Sequence, residues 1–129
     1  MNRPATYLDR ILVRHREVAA QDARDIDQLI QRSLAMGQPR GFRERLLADA
    51  VDGISVISEI KRRSPSKGDL AVGLDPEVLA VAYELGGASC LSVLTDEEFF
   101  DGSISDLQRA SSACALPVLR KDFTISRHD

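Results

Sequence analysis

The chain has 129 residues and a formal charge of -3, with 43% apolar, 29% charged and 5% aromatic residues and no Trp. That is the composition of a globular protein with a mostly aliphatic core; it carries no basic footprint for nucleic acid, and no run of about 18 apolar residues that could span a bilayer. Charges spread through the first twenty residues, with no apolar stretch of the signal-peptide kind, lead us to expect a cytoplasmic protein.

Thr6 followed by Asp9 has the form of a capping box, and Tyr7, Leu8, Ile11, Leu12, Val18 and Ala19 form a helical stripe, so residues 5–21 are predicted to be a helix. A second helix is predicted over 26–36, ending at Gly37, and a third over 42–50 after Pro39 and Gly41. The pattern changes at Ile54. Residues 54–60 are short and β-branched, a first strand, followed by a polar loop through Gly73. Asp75 and Pro76 give an N-cap and a first helical residue, and the stripe Val78, Leu79, Ala82 and Leu85 runs to Gly86-Gly87, predicting a helix over 76–85. Residues 89–95 form a second apolar strand, Ile104, Leu107, Ala110 and Ala113 mark another helix, and a third strand begins at Leu116. Cys90 and Cys114 sit in apolar stretches without metal-site spacing and are expected to be buried free thiols, with no metal bound.

Strands alternating with helices of about ten residues imply βαβ units and parallel pairing. Alternation alone does not separate an open doubly wound sheet from a barrel. The absence of GxGxxG after the first strand, and of GxxxxGK[ST] anywhere, shifts the expectation to a barrel. Residues 1–50 are read as a helical extension and 51–129 as the first part of a barrel.

Side chains alternate along a strand, so Glu59 and Lys61 share one side and Ile60 takes the other. If Ile60 packs on the helices, the carboxylate and the ammonium face the barrel interior at its catalytic rim. Leu119, Lys121 and Phe123 should share a face in the same way, with Arg120 and Asp122 opposite. Desolvation by the Phe123 ring, together with nearby cations, is expected to lower the pKa of Lys121.

The segments SVISEIKRRSPSKGDL, DPEVLAVAYELGGASCLSVLTDEEFFDGSISDLQ and LPVLRKDFTI resemble, in order and spacing, the signature blocks of the indole-3-glycerol phosphate synthase family, closely over residues 54–125. The resemblance implies an α/β (β/α)8 barrel with an amino-terminal helical extension over its mouth. It implies ring closure of 1-(2-carboxyphenylamino)-1-deoxyribulose 5-phosphate with loss of carbon dioxide and water, without metal or organic cofactor. The partner would be this small phosphorylated substrate, not nucleic acid or a membrane. By motif, Lys121 resembles the general acid, Lys61 a second lysine near the hydroxyl and phosphate end, and Glu59 the carboxylate that orients these groups or shuttles protons. Ser64 resembles the loop residue on the phosphate side, and Phe123 the ring lining the anthranilate pocket.

A full barrel takes about 250 residues, and this sequence ends shortly after its third strand. The expected structure is therefore a partial barrel of a helical extension, about three parallel strands and two helices. Its open edges invite self-association, and Val56 and Val118 are read as inward residues lacking the opposing half of the core. The alternative to an active synthase is a catalytically incomplete half-barrel, inactive alone or acting only with a complementary piece.

Overall fold

The computed structural model describes residues 4–129, which form two compact units. The smaller holds the residues up to Gln38 together with Phe123–Asp129, and the larger is Pro39–Asp122.

In the smaller unit, helix α1 (Tyr7–Gln21) begins at the anticipated capping box: the Thr6 hydroxyl accepts from the Asp9 N–H, and the Asp9 carboxylate accepts from the Thr6 N–H at 2.7 Å. Helix α2 (Ile26–Ala35) is capped by Asp25, which accepts from the Gln28 N–H at 2.9 Å. The chain's last residues are fastened to the turn between these helices. Arg24 donates to the His128 carbonyl at 2.9 Å, and the His128 ring lies 3.0 Å from the Arg24 carbonyl.

The larger unit begins with α3 (Phe42–Asp49), launched from Gly41 at φ +69°, a left-handed value that glycine takes without penalty. A parallel sheet follows, of β1 (Ile57–Ile60), β4 (Cys90–Leu94) and β5 (Val118–Lys121), with β4 central. Helix α4 (Pro76–Leu85), with Asp75 at its N-cap, crosses from β1 to β4, and α6 (Ile104–Ala113) crosses from β4 to β5. Both helices cover one face of the sheet and pack on each other. Ile60, Ala80, Ala88, Leu91, Val93, Ala110, Cys114 and Leu116 form the core between sheet and helices. Ile60, Leu91 and Val93 are at most 2% exposed, worth about 1.5–3 kcal/mol each.

Val118 pairs with Leu91 and packs against this helix-side core, so it is not an inward residue as the sequence reading had it. The period of two is the reason. Val118 has the parity of Arg120, opposite Leu119 and Lys121. The first strand is also shorter than read: pairing starts at Ile57, while Ser55 turns its hydroxyl to the Leu46 carbonyl.

Two small elements were not anticipated. Residues Arg63–Ser64 (β2) and Gly68–Asp69 (β3) close an antiparallel hairpin in the loop after β1, with Gly68 at φ +71°. Asp96 caps a single helical turn, α5 (Glu97–Phe100), after β4. Asp101 leaves that turn at φ 54°, and Gly102 then lies so close to β4 that an added Cβ would stand 2.3 Å from the Leu94 carbonyl oxygen.

Candidate functional site

Sheet register decides which side chains share a face. Glu59 lies beside Ser92, and Ser92 beside Leu119; one step further, Leu94 lies beside Lys121. Parallel neighbours share a face and alternate residues repeat it, so Glu59, Ser92, Leu94, Leu119 and Lys121 occupy the side opposite the helices. Ile60, Val93 and Arg120 occupy the other.

Within this group Glu59 is the centre of the contacts. One carboxylate oxygen lies 2.9 Å from the Lys61 ammonium, and the other accepts from the Ser92 hydroxyl at 3.3 Å. The side chains of Glu59 and Lys61 are each about one-third exposed, 35% and 32%, so the pair is open to a ligand while Ser92 beneath it is buried. The Glu59 backbone is held from behind, its carbonyl accepting from the Tyr83 hydroxyl of α4 at 3.2 Å. A carboxylate bridging an ammonium and a hydroxyl can pass a proton between them with little movement.

Lys121 ends β5 and its side chain is exposed, without a hydrogen bond or ion pair among the described residues. β5 stops at Lys121, and Phe123 belongs to the smaller unit, where its ring lies 5.3 Å from that of His15 at a tilt of 51°. The strand alternation that was to put Phe123 on Lys121's face ends two residues before it.

Ser64 sits in β2, buried, and its hydroxyl accepts from the Lys67 N–H at 3.2 Å, so it shapes the turn of the hairpin. The loop that carries it is tied down by arginines. The Arg62 guanidinium makes two bonds to Asp106 at the start of α6, at 2.8 and 2.9 Å, and donates to the carbonyls of Val72 and Leu74 at 2.7 and 2.9 Å. The bonded Asp106 carboxylate holds the Arg62 pKa above its ordinary value. Arg63 reaches the Glu98 carbonyl of α5 at 2.6 Å.

Sequence reasoning missed Ser92, Arg62 and Asp106. Ser92 was findable, as the polar residue within an apolar strand at the parity of Glu59. The Arg62–Asp106 pair joins residues 44 positions apart and left no local signal.

A compositional feature fits this layout. The chain has only three lysines, Lys61, Lys67 and Lys121, among seventeen Lys and Arg residues. All three lie at the carboxyl end of the sheet or in the loop leaving it. Everywhere else the cations are arginines, which bond carbonyls and carboxylates in fixed geometry and do not exchange protons near neutral pH.

The buried cysteines are free. Burial pushes the Cys90 thiol above its ordinary pKa, and its sulfur lies 3.5 Å from the Phe42 carbonyl, which suits packing rather than reactivity. No helix among the described residues is long and apolar enough to cross a membrane. Residues 8–129 match the model of the protein family described as indole-3-glycerol phosphate synthase.

Proposed function

We propose that this chain, which belongs to the indole-3-glycerol phosphate synthase family, contributes to that family's reaction the groups that move protons: Glu59, Lys61 and Lys121. The family is one of (β/α)8 barrels and serves tryptophan biosynthesis with a decarboxylating lyase reaction. The substrate is 1-(2-carboxyphenylamino)-1-deoxyribulose 5-phosphate and the product indole-3-glycerol phosphate.

The observation that carries the proposal is the Glu59 bridge, 2.9 Å to Lys61 and 3.3 Å to Ser92, on the sheet face that Lys121 shares. Lys121, whose side chain makes no hydrogen bond or ion pair among the described residues, gives its proton to the ribulose carbonyl and makes that carbon electrophilic toward the aromatic ring. Loss of carbon dioxide then restores aromaticity. Lys61 assists departure of the hydroxyl, and Glu59 accepts a proton and returns it through the ammonium it touches. Ser64 serves the phosphate side of the substrate from its hairpin, and Phe123 lines the anthranilate pocket. The proposed setting is the cytoplasm. Lys121→Ala and Glu59→Gln, assayed by fluorescence of the indole product, test these roles. A loss of turnover with the Michaelis constant kept is expected, and a raised Michaelis constant at full turnover would make Lys121 a binding residue.

A second reading concerns how the site is completed. Three strands leave β1 and β5 each with one partner, against eight strands in a closed barrel. On this reading the three described strands are a catalytically incomplete part of a barrel. The chain is inactive as a monomer and acts only once further strands pair with those edges, from a second copy or a complementary piece. Light scattering on the eluting protein, with the fluorescence assay on each fraction, tests it: activity is expected in no monomer fraction, and an active monomer refutes it.

A further inference from the structure

Lys61 is oriented by direct contact with Glu59, whereas the Lys121 side chain makes no hydrogen bond or ion pair among the described residues. Its backbone, by contrast, is held, the carbonyl accepting from the Thr95 N–H. The residues on either side of it in the chain, Arg120 and Asp122, are both bound to Thr95, the residue that follows β4. The Thr95 hydroxyl donates to the Asp122 carboxylate at 2.6 Å and accepts from Arg120 Nε at 3.1 Å, which uses its one proton and one of its lone pairs. Arg120 closes the triangle by donating to the same Asp122 oxygen at 3.2 Å. The Thr95 N–H donates to the Lys121 carbonyl at 3.1 Å, one rung past the last paired residues of the sheet. Thr95 is 5% exposed, and the Asp122 side chain 13%, so both the hydroxyl and the carboxylate work with little competition from water.

We propose that Thr95, Arg120 and Asp122 are positioning residues for Lys121: by pinning its two neighbours on the helix side and its carbonyl to β4, they fix its backbone and so direct its ammonium to the opposite face. A lysine aimed by its backbone alone keeps all three N–H donors for the substrate. This rests on the reading of Lys121 as an acid, but the clamp itself is a structural claim with its own observable.

Amide hydrogen exchange on the full chain tests the clamp. The Thr95 N–H reports the rung to Lys121, and the Leu91 N–H, which donates to the Pro117 carbonyl at 2.9 Å, reports the same strand pair further back. In Asp122→Ala we expect Thr95 to exchange at least tenfold faster relative to Leu91, and in Thr95→Ser, which keeps the hydroxyl, to stay within about threefold of the original. An unchanged ratio, or an equal rise at both amides, overturns the clamp. Turnover then separates the two ideas: Asp122→Ala should lose turnover with its Michaelis constant within twofold, and Thr95→Ser should retain turnover. Should Lys121→Ala keep full turnover while the exchange ratio shifts as expected, the clamp stands and the acid role of Lys121 falls. Loss of turnover in Lys121→Ala with an unmoved exchange ratio does the reverse.

Discussion

Replacing Asp106 by Ala removes the partner of Arg62, and the cost can be worked from the contacts. The pair is mostly buried, with 17% of the Arg62 side chain and 10% of the Asp106 side chain exposed, and it is bidentate at 2.8 and 2.9 Å. Breaking such a pair from one side costs about 3–5 kcal/mol, because a desolvated charge is left behind. Arg62 would keep the Val72 and Leu74 carbonyls, which partly satisfy it, so the lower figure of about 3 kcal/mol is expected. That is a large part of the 5–15 kcal/mol margin usual for a domain. Urea unfolding followed by circular dichroism measures it, and the midpoint should fall with the slope unchanged. Replacing both residues, Arg62→Leu with Asp106→Leu, removes the stranded charge but also the bonds to Val72 and Leu74, so the double variant should lose less than the sum of the two single losses. A single-variant cost under about 1 kcal/mol, or a double variant in which the two losses simply add, would refute the argument that each partner alone is left as an uncompensated desolvated charge.

Four further outcomes follow from geometry. Gly102→Ala would put a methyl 2.3 Å from the Leu94 carbonyl oxygen and 2.7 Å from its carbon, and should destabilise by about 1–3 kcal/mol in the same unfolding experiment. Arg40→Met should cost about 1 kcal/mol, since Arg40 donates to the carbonyls of Ser111, Cys114 and Leu116 at 2.9 Å each and so closes the carboxyl end of α6 from a partly exposed position. Cys90 and Cys114 should resist a thiol reagent in the folded protein and react together only on unfolding; reaction of one thiol in native buffer contradicts their burial. Asp9 has its pKa lowered from 3.8, first by the Thr6 backbone N–H and then by the Thr6 hydroxyl. A depressed carboxyl pKa stabilises the fold above its unfolded value, and the contribution fades as pH falls through the folded one. An NMR titration of the Asp9 carboxyl should therefore have its midpoint below 3.8, and Asp9→Asn should abolish that acid-dependent part of α1 stability.

Local signals carried much of the fold. Helix α4 matches its predicted span of 76–85 because both ends are chemically marked, by Asp75 and Pro76 at one end and Gly86 at the other. Strand existence was equally legible, but strand extent was not. Ile54 and Val56 have the right shape for a strand, yet pairing depends on a partner, and the ladder to β4 begins only at Ile57. The hairpin of β2 and β3 has two residues per strand, too few for any periodicity to show, and α5 is a single turn. In the site, alternation grouped Glu59 with Lys61 and Leu119 with Lys121, and the observed register then puts Glu59 and Lys121 on one face. The same rule, applied to Val118, should have put it with the helices. What alternation could not supply was contact over distance: Arg62 with Asp106, Arg40 with the end of α6, and Arg120 with Thr95 join residues 25 to 76 positions apart. Nor could it show that β5 ends before Phe123.

The scarcity of lysine has a practical consequence. With three lysines, all near the sheet's carboxyl end, a reagent that acylates amines has almost nowhere else to react apart from the chain's own amino terminus. An ordinary labelling reagent thus becomes a local probe in this protein. Peptide mapping after brief acylation reads the accessibility of Lys61, held by Glu59, against that of Lys121, exposed and unbonded among the described residues, in one measurement. The same economy means that immobilising the chain through its lysines would cover the carboxyl end of the sheet.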